Sequence, residues 1–310
     1  MSILVDEDTE VVVQGATGRE ARLRIRLMQD YGTRVVAGVT PGKGGQIAEG
    51  VPVYNTVLEA KERHPGVNTS AIFVPAQAAK VAAFEALDAG IGVMTLHPER
   101  VPQQDMLEVI AYARRFGAHV IGPNTIGLIS PGKALVGMIG GNPRSATEFF
   151  CEGPVGVLSR SGGNTTTLAF YIKQAGLGQS TAIGMGGDAF VGTTLREYLG
   201  LFEEDPETRV VAYFGEIGTM IEEDAAELIA SGGFTKPMVA YVAGRYARPD
   251  VRFGHAGAMI SRGVGTAQGK REALREAGVN VVEHFGQIGT VTSKILAGLD
   301  NDHDLGALVG

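Results

Sequence analysis

The 310-residue sequence predicts an α/β fold made of two doubly wound domains. Three observations carry that expectation. Short apolar runs alternate with helical patterns along the whole chain, as in parallel sheets covered by helices on both faces. The alternation breaks once, in a turn-rich stretch between Gly122 and Pro154. Glycine is abundant, at 45 residues, and often stands directly after an apolar run, where it lets backbone approach a ligand.

In chain order, strands are expected near Glu10–Gln14, Arg34–Gly38, Ala71–Pro75, Gly92–Leu96 and His119–Ile121, with helices between them. The interruption carries turns at Gly122-Pro123-Asn124, Ser130-Pro131-Gly132 and Gly140-Gly141-Asn142-Pro143. It divides the chain into a first domain at 1–125, a linker at 126–153 and a second domain at 154–310. A second series follows near Val155–Leu158, Ser180–Gly184, Val210–Phe214, Pro237–Val242 and Val279–Val282. It repeats the architecture without repeating the sequence. After Val242 no convincing helix begins before about Gly269, so a loop of unusual length is expected there. Its segment from Gly254 to Ile260 is nearly uncharged, which argues for a functional loop over a disordered one.

Composition excludes several partner classes. A net charge of −7 and the lack of a Lys/Arg cluster argue against nucleic acid. The acidic stretch Met1–Glu10 lacks the basic and apolar regions of a signal peptide, and no apolar run is long enough to span a bilayer, so no membrane partner is expected. One cysteine, Cys151, allows no internal disulfide and fits a reducing compartment; a cytoplasmic location is expected.

The first domain carries the marks of a phosphate-bearing ligand. Gly15 and Gly18 bracket a turn, Gln14-Gly15-Ala16-Thr17-Gly18-Arg19-Glu20, that leads into a helix whose N-terminus attracts anions. The third glycine of a dinucleotide fingerprint and the ribose-binding acid are both missing, which disfavours an NAD-linked oxidoreductase. Thr40-Pro41-Gly42-Lys43-Gly44-Gly45 should lie beside that turn, where Lys43 can neutralise a phosphate. Loops at Phe73-Val74-Pro75-Ala76, Leu96-His97-Pro98-Glu99 and Ile121-Gly122-Pro123-Asn124-Thr125 end strands at the same edge.

In the second domain three strand ends should converge: Ser159-Arg160-Ser161-Gly162-Gly163-Asn164-Thr165, Gly184-Met185-Gly186-Gly187-Asp188 and Gly215-Glu216-Ile217-Gly218. The first leads into a helical run and offers a second anion-binding helix start. In Gly254-His255-Ala256-Gly257-Ala258 the imidazole has only small neighbours and is free to act as nucleophile or base. A strand-end carboxylate such as Glu216 can hold one ring nitrogen and present the other. The bland alternatives are a satisfied loop histidine and a helix-capping acid ahead of Glu222-Glu223-Asp224, itself read as a solvated first turn and not a metal site. No metal ligand is assigned.

Taken in order, these motifs resemble those of the succinyl-CoA synthetase α-subunit family, the nucleoside-diphosphate-forming acyl-CoA ligases, from about Val11 to Leu296. The resemblance implies a Rossmann-like CoA-binding domain followed by a flavodoxin-like ligase domain. It places coenzyme A against Thr17, Gly18, Arg19, Glu20, Lys43, Pro75, His97, Pro98, Glu99 and Asn124. It also implies that His255 is phosphorylated and steadied by Glu216, with phosphate and substrate near Ser159, Ser161, Gly162, Gly163, Asn164 and Thr166. ATP or GTP with Mg is then expected on an ATP-grasp β-subunit partner, in a heterodimer or heterotetramer.

The chain departs from common members at three points. Where they continue the serine motif with Gly-Thr-Leu-Thr-Tyr-Glu, this chain has Gly162-Gly163-Asn164-Thr165-Thr166-Thr167, so that Thr166 replaces a substrate-contacting tyrosine; the double glycine is similar to the segment in ATP-citrate lyase. Thr125 stands for a usual cysteine, and Thr219-Met220 for a Gly-Ser pair. The expected activity is therefore formation of an acyl-CoA from a small polar carboxylic acid, such as malate, citrate or a sulfonated carboxylate, through a phosphohistidine and an acyl phosphate. The alternatives are succinyl-CoA synthetase proper and a CoA-binding regulatory protein without turnover.

Overall fold

A computed structural model describes residues 2–248, 251–260 and 263–307, the last seven by backbone alone. The first domain is built from β1 (Glu10–Gln14), α1 (Arg19–Tyr31), β2 (Arg34–Val39), β3 (Ile47–Ala48), β4 (Val51–Tyr54), α2 (Val57–Arg63), β5 (Thr69–Ile72), α3 (Ala79–Asp88), β6 (Val93–Leu96), α4 (Gln103–Phe116) and β7 (His119–Ile121). Its sheet runs β3-β4-β2-β1-β5-β6-β7, parallel from β4 to β7, with β3 antiparallel at the edge. Counting only the parallel strands, this is the doubly wound order 3-2-1-4-5-6, which reverses between β1 and β5. Val11, Val12 and Val13 are fully buried because helices cover both faces of a parallel sheet.

The second domain holds β8 (Gly127–Ser130), β9 (Ala134–Gly137), α5 (Pro143–Phe149), β10 (Glu152–Ser159), α6 (Gly162–Gln174), β11 (Gln179–Gly184), α7 (Leu195–Glu204), β12 (Val210–Gly215), α8 (Ile221–Ala230), β13 (Met238–Val242), α9 (Ala267–Glu276), β14 (Asn280–Val281) and α10 (Ile288–Ala307). Its sheet order is β14-β13-β12-β10-β11-β8-β9. The five strands from β10 to β14 are parallel, in the flavodoxin-like order that reverses between β10 and β12. Local signals set the helix starts: α7 opens on a Thr194/Glu197 capping box, which contributes about 1 kcal/mol. No described helix is long and apolar enough to cross a membrane.

Several expectations are corrected. The stretch read as a linker, residues 126–153, forms the β8–β9 hairpin and α5; β8 pairs antiparallel to β11 and extends the second sheet. Its turn residues are those of a hairpin, and its buried Leu128, Leu135, Val136 and Ile139 join one core with Ile25 and Met28 of α1. The Thr33 hydroxyl donates to the Leu135 carbonyl and accepts from the Leu135 amide, both at 2.8 Å, so this hairpin cements the two domains. The β3–β4 hairpin was not expected. The strand placed at Ala71–Pro75 ends at Ile72, leaving Phe73, Val74 and Pro75 in the loop. The helix expected from about Gly269 starts at Ala267, because the Thr266 hydroxyl accepts the Gly269 amide.

Candidate active site

At the reversal point of the first sheet, the turn after β1 meets the loop after β5. Gly15 has φ +79°, and a Cβ there would lie 2.5 Å from the Phe73 carbonyl oxygen, so only glycine lets the two loops touch. The Thr17 and Thr40 hydroxyls stand 3.3 Å apart and tie this turn to the loop carrying Lys43. Gly18 caps α1 without a side-chain bond, which leaves the first-turn amides facing an exposed edge together with Arg19 and Lys43. The edge thus offers the backbone donors and positive charge that favour an anion. Glu20 is taken up by Arg24 at 2.7 Å; Pro75 and Glu99 are exposed.

Two residues expected at the ligand are engaged elsewhere. His97 is 8% exposed: Thr95 donates to Nε2 (2.9 Å), Nδ1 donates to the Thr125 carbonyl (3.0 Å), and the ring stacks on Phe73 with centroids 4.0 Å apart. Burial pushes its pKa down to about 4, against the hydrogen bond to Thr125. His97 thus braces the loop after β5 through Phe73. Asn124, whose amide donates to the Pro98 carbonyl at 2.9 Å, turns its side-chain amide to Asp188 Oδ1 at 3.3 Å.

At the reversal point of the second sheet, between β10 and β12, the structure brings His255 and Glu216 together. His255 Nδ1 donates to Glu216 Oε2 at 2.7 Å, which leaves Nε2 as the nitrogen not engaged by the carboxylate. The ring is partly exposed and Glu216 is nearly buried. Glu216 holds the His255 pKa above its ordinary value, against the desolvation of the ring and the positive charge of Arg160.

The described residues 251–260 of the loop after β13 fold tightly around this histidine. Phe253 donates to the Ala258 carbonyl at 2.9 Å, Ala258 to His255 at 3.1 Å, and Gly257 to Gly187 at 3.0 Å. A Cβ on Gly187 would meet His255 Cγ at 2.5 Å and Cδ2 at 2.7 Å, so the glycine forms the seat of the ring. Asp188 accepts from the Arg100 amide at 3.0 Å and from Asn124, which joins the histidine's seat to the first domain. Burial raises the Asp188 pKa against those two bonds.

The α6 start lies on the same edge. Ser161 is its N-cap by position, but its hydroxyl accepts from Asn164 Nδ2 at 2.9 Å and does not cap the helix. The first-turn amides, at half-exposed Gly162 and exposed Gly163, are thus left for an anion. Ser159 is corrected to a brace: it is fully buried, donating to the Ser161 carbonyl and accepting the Ser161 amide. Thr166 is half-buried on α6. Thr125 is buried, donating to the Gly184 carbonyl and accepting the Gly127 amide, so it stabilises a turn. A cavity of about 520 Å³ borders Glu216, between Tyr241, Tyr246, Phe253 and His284. Sequence reasoning quoted Arg160, Gly187 and Asp188 in motifs but gave them no part in the site; their burial is the signal, and it exists only in the fold.

Fold and site together define a two-domain α/β protein with a helix N-terminus free of side-chain caps at the reversal point of each sheet and a carboxylate-held histidine at the second. Comparison with known proteins agrees. Residues 6–98 match the CoA binding domain family and residues 158–280 the CoA-ligase family. The chain is 48% identical over 298 residues to the α subunit of an ADP-forming succinate–CoA ligase of Aquifex aeolicus, covering 96% of this chain and 95% of the relative. It is 42% identical to a subunit of an ADP-forming sulfoacetate–CoA ligase of Bilophila wadsworthia, covering 96% and 100%. The structure of ATP citrate lyase from Methanothrix soehngenii, in complex with citrate and coenzyme A, aligns with a TM-score of 0.89 at 26% identity over 97% of this chain; the chain spans 52% of that lyase. The chain therefore belongs to the family of nucleoside-diphosphate-forming acid–CoA ligase α subunits.

Proposed function

We propose that this subunit joins a small polar carboxylic acid to coenzyme A by way of phosphorylated His255. The observation that carries the reading is the 2.7 Å bond from Nδ1 to Glu216, which fixes the tautomer with a lone pair on Nε2. That lone pair takes the terminal phosphoryl group of the nucleoside triphosphate, which departs as the diphosphate, and later passes it to the acid's carboxylate, forming an acyl phosphate and restoring the neutral ring. The thiol of coenzyme A then displaces inorganic phosphate and the thioester forms. The α6 amides offset the negative charge in transit, a contribution of several kcal/mol in closed sites. Thr17, Gly18, Arg19 and Lys43 offer a place for the coenzyme's phosphates.

Nucleotide and Mg are assigned to an ATP-grasp β subunit, a partner supported by the α-subunit name of the Aquifex relative. Exposed Met220, Tyr246, Phe253 and Met259 around the histidine loop support a partner seated there. The assembly is placed in the cytoplasm on the strength of the free Cys151. For the acid, Thr166 and the sulfoacetate ligase relative support a polar acid larger in hydrogen-bonding capacity than succinate. Succinate is the second reading, favoured by the Aquifex relative. The intact His255–Glu216 bond speaks against a purely regulatory protein.

The test uses the chain with its partner subunit. Incubation with Mg-ATP should place acid-labile phosphate on His255 and none on His255→Asn, and a panel of acids in the ligation assay should favour a hydroxylated or sulfonated acid. No phosphate on wild type defeats the mechanism; a clear preference for succinate defeats the choice of acid.

A further inference from the structure

Arg160, between β10 and α6, is buried with its side chain 1% exposed. A guanidinium offers five N–H donors, yet among the described residues it makes one hydrogen bond, from Nη2 to the Asp188 carbonyl at 3.1 Å. Its Nη1 has no partner, and neither has Glu216 Oε1. Arg160 Nε stands 3.6 Å from that oxygen, near enough for attraction between charges and too far for a hydrogen bond. Burying a cation is costly unless its surroundings repay it, and unpaired buried groups in a native fold call for a reason. Here hydrogen bonding is not the reason.

The position of the guanidinium supplies one. It touches all three loops that build the histidine site: Glu216 after β12, Asp188 after β11, and Gly257, where an added Cβ would lie 2.9 Å from Nη2. The charged groups facing the His255 ring are Glu216, Asp188 and Arg160, two acids and one cation. The acids draw a proton onto the ring, and a protonated ring has no lone pair at Nε2. We propose that Arg160 is a positioning residue for phosphoryl transfer, its positive charge tempering the pull of Glu216 on the His255 proton so that Nε2 stays nucleophilic near neutral pH. The inference rests on the phosphohistidine reading above. Arg160 acts through Glu216 and the loop, and does not itself carry the phosphoryl group.

The test is an NMR titration of the His255 ring in the full chain, beside the pH profile of phosphohistidine formation in the complex with the partner subunit. Arg160→Met should raise the ring's midpoint by about one pH unit, as removal of a neighbouring cation does. Phosphohistidine formation near neutral pH should then fall up to about tenfold and recover at alkaline pH. Arg160→Lys, which keeps the charge, should titrate near wild type. A merely structural arginine would lower activity at every pH without moving the midpoint, and that result overturns the proposal. Should Arg160→Met fail to fold, Arg160→Gln, which keeps hydrogen-bonding capacity without the charge, decides: its His255 midpoint must rise above the wild-type value, and an unmoved midpoint overturns the proposal. Wild type that titrates as described but never accepts phosphate would instead defeat the phosphohistidine reading.

Discussion

Acidification should weaken the first domain through His97, and the size of the effect follows from how the ring is held. Both ring nitrogens are bonded, to Thr95 and Thr125, and burial pushes the pKa down to about 4. In the unfolded chain the same ring takes up a proton near the ordinary imidazole value of about 6.5. Above that value neither state holds the proton and His97 adds no pH dependence. Between it and about 4 only the unfolded chain is protonated, so stability falls as pH falls; below about 4 both states are protonated and the loss stops. Roughly two and a half pH units at about 1.36 kcal/mol each remove about 3 kcal/mol. Denaturant unfolding of wild type and His97→Gln measures it. The variant is less stable near neutral pH, because it loses the stack on Phe73, but its disadvantage should shrink by about 3 kcal/mol between about pH 7 and about pH 4. Stability curves that run parallel over that range would refute the reasoning and return His97 to the role of an open ligand contact.

Gly187→Ala places a methyl group where the His255 ring lies, so phosphohistidine formation should fall about a hundredfold while the thermal midpoint moves little; phosphate incorporation beside calorimetry checks this. Lys270→Met strands Glu222, which Lys270 Nζ and the Tyr213 hydroxyl now satisfy in a fully buried cluster, and should destabilise the second domain by roughly 3–5 kcal/mol in denaturant unfolding. Phosphohistidine formation needs the neutral His255 ring, whose proton affinity Glu216 raises, so the rate should climb with pH through a midpoint above the ordinary imidazole value. Glu216→Gln should bring that midpoint down and lower the plateau. A wild-type midpoint below about 6.5 would contradict the assignment.

Much of the site was legible because its chemistry sits at strand ends. Glu216 after β12 and the Ser161-Gly162 helix start are marked by residue type and by the apolar run before them, whereas His255 lies well past β13 and is marked by its small neighbours in a long loop. Ser159 and His97, both buried by the fold, share one ambiguity: a polar side chain in a strand-end motif reads as a ligand contact whether it faces the cleft or turns inward. Residues 126–153 misled because Pro131 and Gly132 signal a turn equally well inside a hairpin and inside a linker.

The order of apolar runs, turns and glycines by itself determined that the chain is α/β, doubly wound twice, and that its polar motifs fall at the carboxyl ends of strands, because side-chain periodicity and turn chemistry are local properties. Tertiary structure alone decided which of those motifs meet. The 2.7 Å bond across 39 residues from His255 to Glu216, the seat offered by Gly187 and the buried charge of Arg160 arise from sheet order and packing. Distances between segments remote in the chain, and the desolvation that tunes a titrating ring, exist only once the layers have closed around it.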